Sequence, residues 1–244
     1  MILTIIGGGD AFGSGGNMNT CFYLKSSHTQ LLIDCGATSL VGLKKEGIEP
    51  ANLDYILISH LHGDHFGGLP FILLDLFRKK RTKQLTIIGP QGIQEKTLAL
   101  LELLYPGTQP DLDFSLIGFQ EYESENILET AFFKLQAFPV IHSAPSLPHG
   151  LKLFIEDKII AFSGDTEWTD KLIELSNAAD LFICECNFYT VNGKGHLNYT
   201  TILEKQESLT CKHLLLSHLG DDALNHLDQF QIPFAKDGME ISIS

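Results

Sequence analysis

The chain has 244 residues, 44% of them hydrophobic and 19% charged, with 30 acidic against 17 basic side chains and a formal charge of −13. That length and apolar content can bury a full core in one large domain, and the ordinary charged fraction argues against disorder. The negative charge argues against broad attraction to nucleic acid or an anionic membrane, and no apolar run approaches the ~18 residues of a membrane span.

The N-terminal MILTIIGGGDAF has no basic region before its apolar stretch and reads as a first strand, not a signal peptide. LTII, TCFYLK and QLLIDCG form an opening set of strands, and SLVGLKKEG is a helix that stops at Gly47. YILIS is a short apolar strand that delivers SHLHGDHFGG, residues 59–68, at its C-terminal end. GLPFILLDLFRKK follows as a helix, LTIIG as a strand and QEKTLALLELL as a helix. AFFKLQAFPV, GLKLFIE and KIIAFSGD are further strands, and DGMEISI closes the chain after an Asp237-Gly238 turn. Strands and helices alternate throughout, which gives an α/β class.

ILISHL at 56–61 recurs as LLLSHL at 214–219, so we expect one domain, 1–244, whose two similar halves bring strand ends to a shared site. The basic run RKKRTK, 78–83, reads as a solvated helix end rather than a phosphate patch. Five cysteines without disulfide spacing fit a reducing cytoplasm, and Cys184 and Cys186 read as buried small side chains on one strand face. GGGDAFGSGGNMNT lacks the dinucleotide-binding glycine order and reads as a loop bordering the site.

Three histidines and an aspartate within six residues point to a bound cation, because neighbouring imidazoles repel once protonated. His60 and His62 lie two apart and can leave one face of the chain to grip one metal. Asp64 and His65 lie past Gly63, where the backbone can turn toward a second position, and Gly67 and Gly68 let the next helix start close by. Each metal needs ligands from elsewhere. His142, Asp165 and His218 are the candidates, all at strand ends or loops, with the Asp165 carboxylate able to bridge two cations.

His-x-His-x-Asp-His after an apolar strand, with LLIDCG upstream and a later His, Asp and His, resembles the metallo-β-lactamase superfamily over the whole chain. GDHFGGLP, IIGPQG, His142 followed by PSLPHG, and CECNF followed by GHLNYTTILE resemble its ribonuclease Z branch and small phosphodiesterase relatives. The resemblance implies a four-layer αββα sandwich with two divalent ions, zinc with manganese as the alternative, at the edge where two sheets meet. It places His60, His62 and His142 on the first ion, Asp64, His65 and His218 on the second, Asp165 between them, and Asp34 behind the ligands. It also implies Asp64, His196 and Glu185 as the catalytic set, with His196, supported by Glu185, protonating the leaving group.

Departures from that branch bear on substrate. The tRNA-processing members carry a long arm between the isolated ligand His and the bridging Asp, but here fourteen residues, Leu151 to Gly164, separate Gly150 from Asp165. GNMNT stands where those enzymes show an Arg-Asn pair, and ATSL where they show Glu-Gly-Thr. The first expectation is therefore a cytoplasmic phosphodiesterase for small phosphodiesters, including cyclic or simple nucleotide esters. The alternatives are a ribonuclease Z-type nuclease working without the arm or through a homodimer partner, and a hydrolase of lactones, esters or thioesters. A non-catalytic metal-binding module stands behind these.

Overall fold

A computed structural model describes residues 1–244. Two sheets form the centre. The first holds seven strands: β1 (Ile2–Gly7), β2 (Cys21–Lys25), β3 (Gln30–Ile33), β4 (Tyr55–Leu57), β5 (Leu85–Gly89), β6 (Ile117–Glu121) and β13 (Glu240–Ser242), in the order β13-β1-β2-β3-β4-β5-β6. The second holds β7 (Ile127–Glu129), β8 (Phe133–Pro139), β9 (His149–Ile155), β10 (Lys158–Phe162), β11 (Leu181–Glu185) and β12 (Leu214–Ser217), in the order β12-β11-β10-β9-β8-β7.

Alternation of side chains builds the layers. Phe22, Leu24, Leu31, Ile33, Leu153, Phe162 and Ile183 face inward between the sheets, and Phe22 meets Phe162 edge to face at 5.3 Å. The intervening residues Tyr23, Leu32 and Ile87 face outward, against α1 (Ser39–Lys45), α3 (Leu69–Arg78) and α4 (Ile93–Leu104). On the other side Phe182, Cys184 and Leu216 pack under α5 (Lys171–Ser176), α6 (Tyr199–Lys205) and α7 (Asp221–Leu224). The molecule is an αββα sandwich, as the resemblance implies. No helix is long and apolar enough to cross a membrane.

β3, β4, β5 and β6 run parallel, as do β10, β11 and β12, so their C-terminal ends gather along one edge. The strand read from YILIS is shorter than expected. Its ladder ends at Leu57, and residues 58–62 continue into the single turn α2 (Gly63–Phe66). Gly68 earns its place there: a Cβ at that position would stand 2.2 Å from the Gly36 carbonyl oxygen. The short edge strands β6 and β7, and helix α5, carry too little periodicity to be read from sequence.

The basic run closes α3 and is mostly exposed, as expected of a solvated helix end, but it also has partners. Lys79 binds Glu49 and Asp75, and Lys83 binds Asp54. The Arg81 guanidinium donates to the carbonyls of Pro50, Ala51, Leu53, Lys83 and Gln84. Residues 53 and 84 precede β4 and β5, so this clasp ties the strand entries together at the edge opposite the C-terminal ends. The solvated helix end is thus also a surface fastening.

Candidate metal centre

The candidate ligands, Asp34 and Glu185 sit at or just past the C-terminal end of a strand: Asp34 after β3, His60 to His65 after β4, His142 after β8, Asp165 after β10, Glu185 at the end of β11 and His218 after β12; His196 lies between β11 and α6. The fold brings all of them together. His60, His62, His142 and Asp165 form one group and Asp64, His65, Asp165 and His218 another, each with its ligand atoms within 4.8 Å of one another. Asp165 belongs to both.

Hydrogen bonds behind the ligands fix which nitrogen faces inward. Asp34 is fully buried and accepts from the Ser59 N–H at 2.7 Å, the Ser59 hydroxyl at 2.8 Å and His65 Nδ1 at 2.6 Å. The Ser59 hydroxyl in turn accepts from His60 Nδ1 at 3.0 Å, and the Gly195 carbonyl accepts from His142 Nδ1 at 2.7 Å. The Nε2 atoms of His60, His65 and His142 are thereby left with their lone pairs toward the cluster.

The residues fit a pair of cations. His60 Nε2, His65 Nε2 and Asp165 Oδ1 are buried and have no hydrogen-bond partner, a costly arrangement unless an ion satisfies them. Two ligand atoms bound to one tetrahedral cation lie ~3.3 Å apart. Here His65 Nε2 stands 3.2 Å from both Asp64 Oδ2 and Asp165 Oδ1, close without hydrogen-bond geometry. His218 Nε2 stands 3.1 Å from Asp64 Oδ2 and 3.3 Å from Asp165 Oδ2. In the other group His142 Nε2 is 3.0 Å from His62 Nδ1 and 3.8 Å from Asp165 Oδ2. Imidazole with carboxylate suits zinc or manganese.

The electrostatics are those of a cation trap. Burial raises the Asp165 carboxyl, but His218 and His65 outweigh it and hold the group well below its ordinary value. Burial lowers His218, yet the Asp165 charge and the Asp64 hydrogen bond lift it to about 9. His60 is pushed well below the usual imidazole range by burial and then by His65. Both Asp34 and His218 adopt left-handed backbone, with φ of 59° and 58°, a strained conformation for non-glycine residues that the surrounding bonds maintain.

Beside the two groups lies a third constellation. Glu185 is fully buried, and its Oε1 accepts from the Thr166 N–H at 2.6 Å and from His196 Nδ1 at 3.1 Å. The His196 ring stacks on His218 at 5.5 Å and meets His142 edge-on at 4.8 Å. Burial raises the Glu185 carboxyl. Burial also lowers His196, but the Glu185 hydrogen bond overrides it and the net shift is upward. His149, by contrast, turns away to Ser124 and the Leu147 carbonyl and belongs to neither ligand group. Cys184 and Cys186 are buried, as expected, and all five cysteines are free. Sequence reading passed over Glu167, which carries no motif, and gave no role to Gly195, the first residue of GHLNYTTILE; Gly195 holds His142 from behind and Glu167 holds Gly195.

The chain is similar to known proteins in sequence and in fold. The family model described as Anti-Pycsar protein Apyc1 matches residues 1–240. The Ribonuclease Z of Agathobacter rectalis is 34% identical over 124 residues, covering 51% of this chain and 39% of that enzyme. The chain spans less than half the length of the curated ribonucleases Z it matches at about that level. Human tRNase Z, short form, superposes with a TM-score of 0.80 at 23% identity, covering 100% of both chains. A diphosphatase from the PhnP family gives 0.79 at 18% identity, covering 100% of this chain and 98% of that one. At those identities the likeness establishes the metallo-β-lactamase fold.

Proposed function

The chain belongs to the Anti-Pycsar protein Apyc1 family, and from that premise and the site's geometry we propose that it is a metal-dependent phosphodiesterase acting on small phosphodiesters. The observation that carries this reading is the sharing of Asp165 by two ligand groups with the His196–Glu185 pair alongside. Two divalent ions held by His60, His62, His142, Asp64, His65, His218 and Asp165 would neutralise phosphate oxygens and acidify a water molecule near neutral pH.

The chain's own residues supply the rest. Asp165 sets the spacing of the two groups, and Asp34 and Ser59 fix the imidazoles. His196 holds a proton for the leaving oxygen, because Glu185 accepts from Nδ1 and raises the ring's affinity for that proton. Burial of Glu185 keeps water from competing for it.

Two features favour a small ester over tRNA. β9 and β10 pair from Phe162–Leu151 down to Lys158–Ile155, so the connection between them is a tight hairpin at Glu156-Asp157 with no arm. The main basic run is engaged at the opposite edge of the molecule. A large RNA needs many phosphate contacts, whereas a small ester needs the ions and a few neighbouring groups. The test is a panel of substrates with zinc- and manganese-loaded protein: bis-p-nitrophenyl phosphate, cyclic nucleotides, precursor tRNA, a lactone and a thioester. Turnover of bis-p-nitrophenyl phosphate and cyclic nucleotides supports the reading; efficient cleavage of precursor tRNA, or turnover confined to lactone or thioester, contradicts it.

A further inference from the structure

Glu167 lies two residues past Asp165 and belongs to neither ligand group. Its Oε1 accepts the Gly195 N–H at 2.7 Å, and the Gly195 carbonyl accepts from His142 Nδ1 at 2.7 Å. The backbone N–H of Glu167 also donates to the Ile141 carbonyl at 2.8 Å, so residue 167 grips the chain on both sides of His142. Gly195 has φ of 81°, and a Cβ there would stand 2.7 Å from His142 Nδ1. That approach is open only to glycine. The next residue is His196, whose ring meets His142 at 4.8 Å.

We propose that Glu167 is a positioning residue that, through Gly195, orients the His142 ring and ties the first ligand group to the segment carrying His196. The inference rests on the reading of His60, His62, His142 and Asp165 as a cation site, and not on which ester is cleaved. Two consequences follow from the geometry. The carbonyl of Gly195 keeps the His142 proton on Nδ1, so Nε2 remains a ligand. An ion drawn to that Nε2 also steadies residues 193–197, and by reciprocity a segment held there favours the ion.

The experiment is zinc binding by calorimetry, with hydrogen exchange of residues 190–198 before and after zinc, on the wild type, Glu167→Ala, Glu167→Gln and Gly195→Ala. Circular dichroism of the zinc-free proteins monitors folding. Glu167→Ala should weaken one of two zinc ions by roughly 10–100-fold, the range for groups behind metal-bound histidines, and should abolish the zinc-dependent protection of 193–197. Glu167→Gln keeps an oxygen for the Gly195 N–H and should restore both. Gly195→Ala disturbs the same contact from the other side and should lose the same ion. Wild-type zinc affinity and protection in Glu167→Ala would overturn the assignment, as would Glu167→Gln behaving like Glu167→Ala. If Glu167→Ala fails to fold, Gly195→Ala with undiminished zinc binding overturns it. A wild type that binds zinc as described but cleaves no phosphodiester would sink the functional reading and leave this one standing.

Discussion

Asp34 accepts three hydrogen bonds at the floor of the site, and each of them reaches a residue of the SHLHGDH segment. Removing that carboxylate frees the His65 ring and strips the Ser59 hydroxyl of its acceptor. Asp34→Ala should therefore lower zinc affinity by roughly 10–100-fold, read by competition with a chromogenic chelator. His196 makes a different claim. If it delivers the proton, His196→Ala should cut turnover of a diester with a poor leaving group by roughly 10²–10⁴-fold. Bis-p-nitrophenyl phosphate should suffer much less, and zinc content should stay intact. Equal losses on both substrates would point to a structural role.

The pH profile follows from the same pair. Burial lowers the His196 pKa, the Glu185 hydrogen bond overrides it, and the net shift is upward, so the acid form persists above the ordinary imidazole range. Activity on poor leaving groups should fall as pH rises through that raised value. Glu185→Gln removes the lifting charge, so the alkaline limb should move to lower pH; an unmoved limb would separate Glu185 from the acid. Of the seven candidate ligands, His60 to His65 were legible because a cation imposes residue type and spacing, and His142, Asp165 and His218 through the resemblance. Glu167 was not, since its role depends on a backbone N–H 28 residues away that leaves no trace in composition.

At the scale of elements, the site depends on where strands stop and turns begin. Strands of the inner layers were legible as short apolar runs rich in β-branched and aromatic residues, because each buries one face between the sheets and the other under helices. β6 and β7 were not, because they lie toward sheet edges and are partly exposed, so no burial pattern marks them. RKKRTK was read as a solvated helix end because a charge run shows no partners in sequence; several of its partners sit about thirty residues upstream at the entry to β4. Arg81→Ala should then cost roughly 1–2 kcal/mol in urea unfolding, because several part-buried and exposed carbonyls lose a charged donor. Turnover per folded molecule should not change, since the clasp lies opposite the site. A loss of activity without loss of stability would contradict that placement.

On the scale of the whole molecule, the two sheets meet with their parallel strand ends on one edge, and the site exists only where both are present. The echo of ILISHL in LLLSHL corresponds to β4 and β12, which lie in different sheets and deliver His60 and His218 to different ligand groups joined by Asp165. The centre should therefore couple ion binding to the stability of the entire sandwich, and a chelator should lower the melting temperature of the loaded protein. The most direct test of the central claim is a zinc titration of the metal-free protein, followed by hydrolysis of bis-p-nitrophenyl phosphate. Activity should rise chiefly between one and two equivalents and level off at about two per chain, and Asp165→Ala should abolish that rise. Full activity at one equivalent, or none at any loading, would contradict the account.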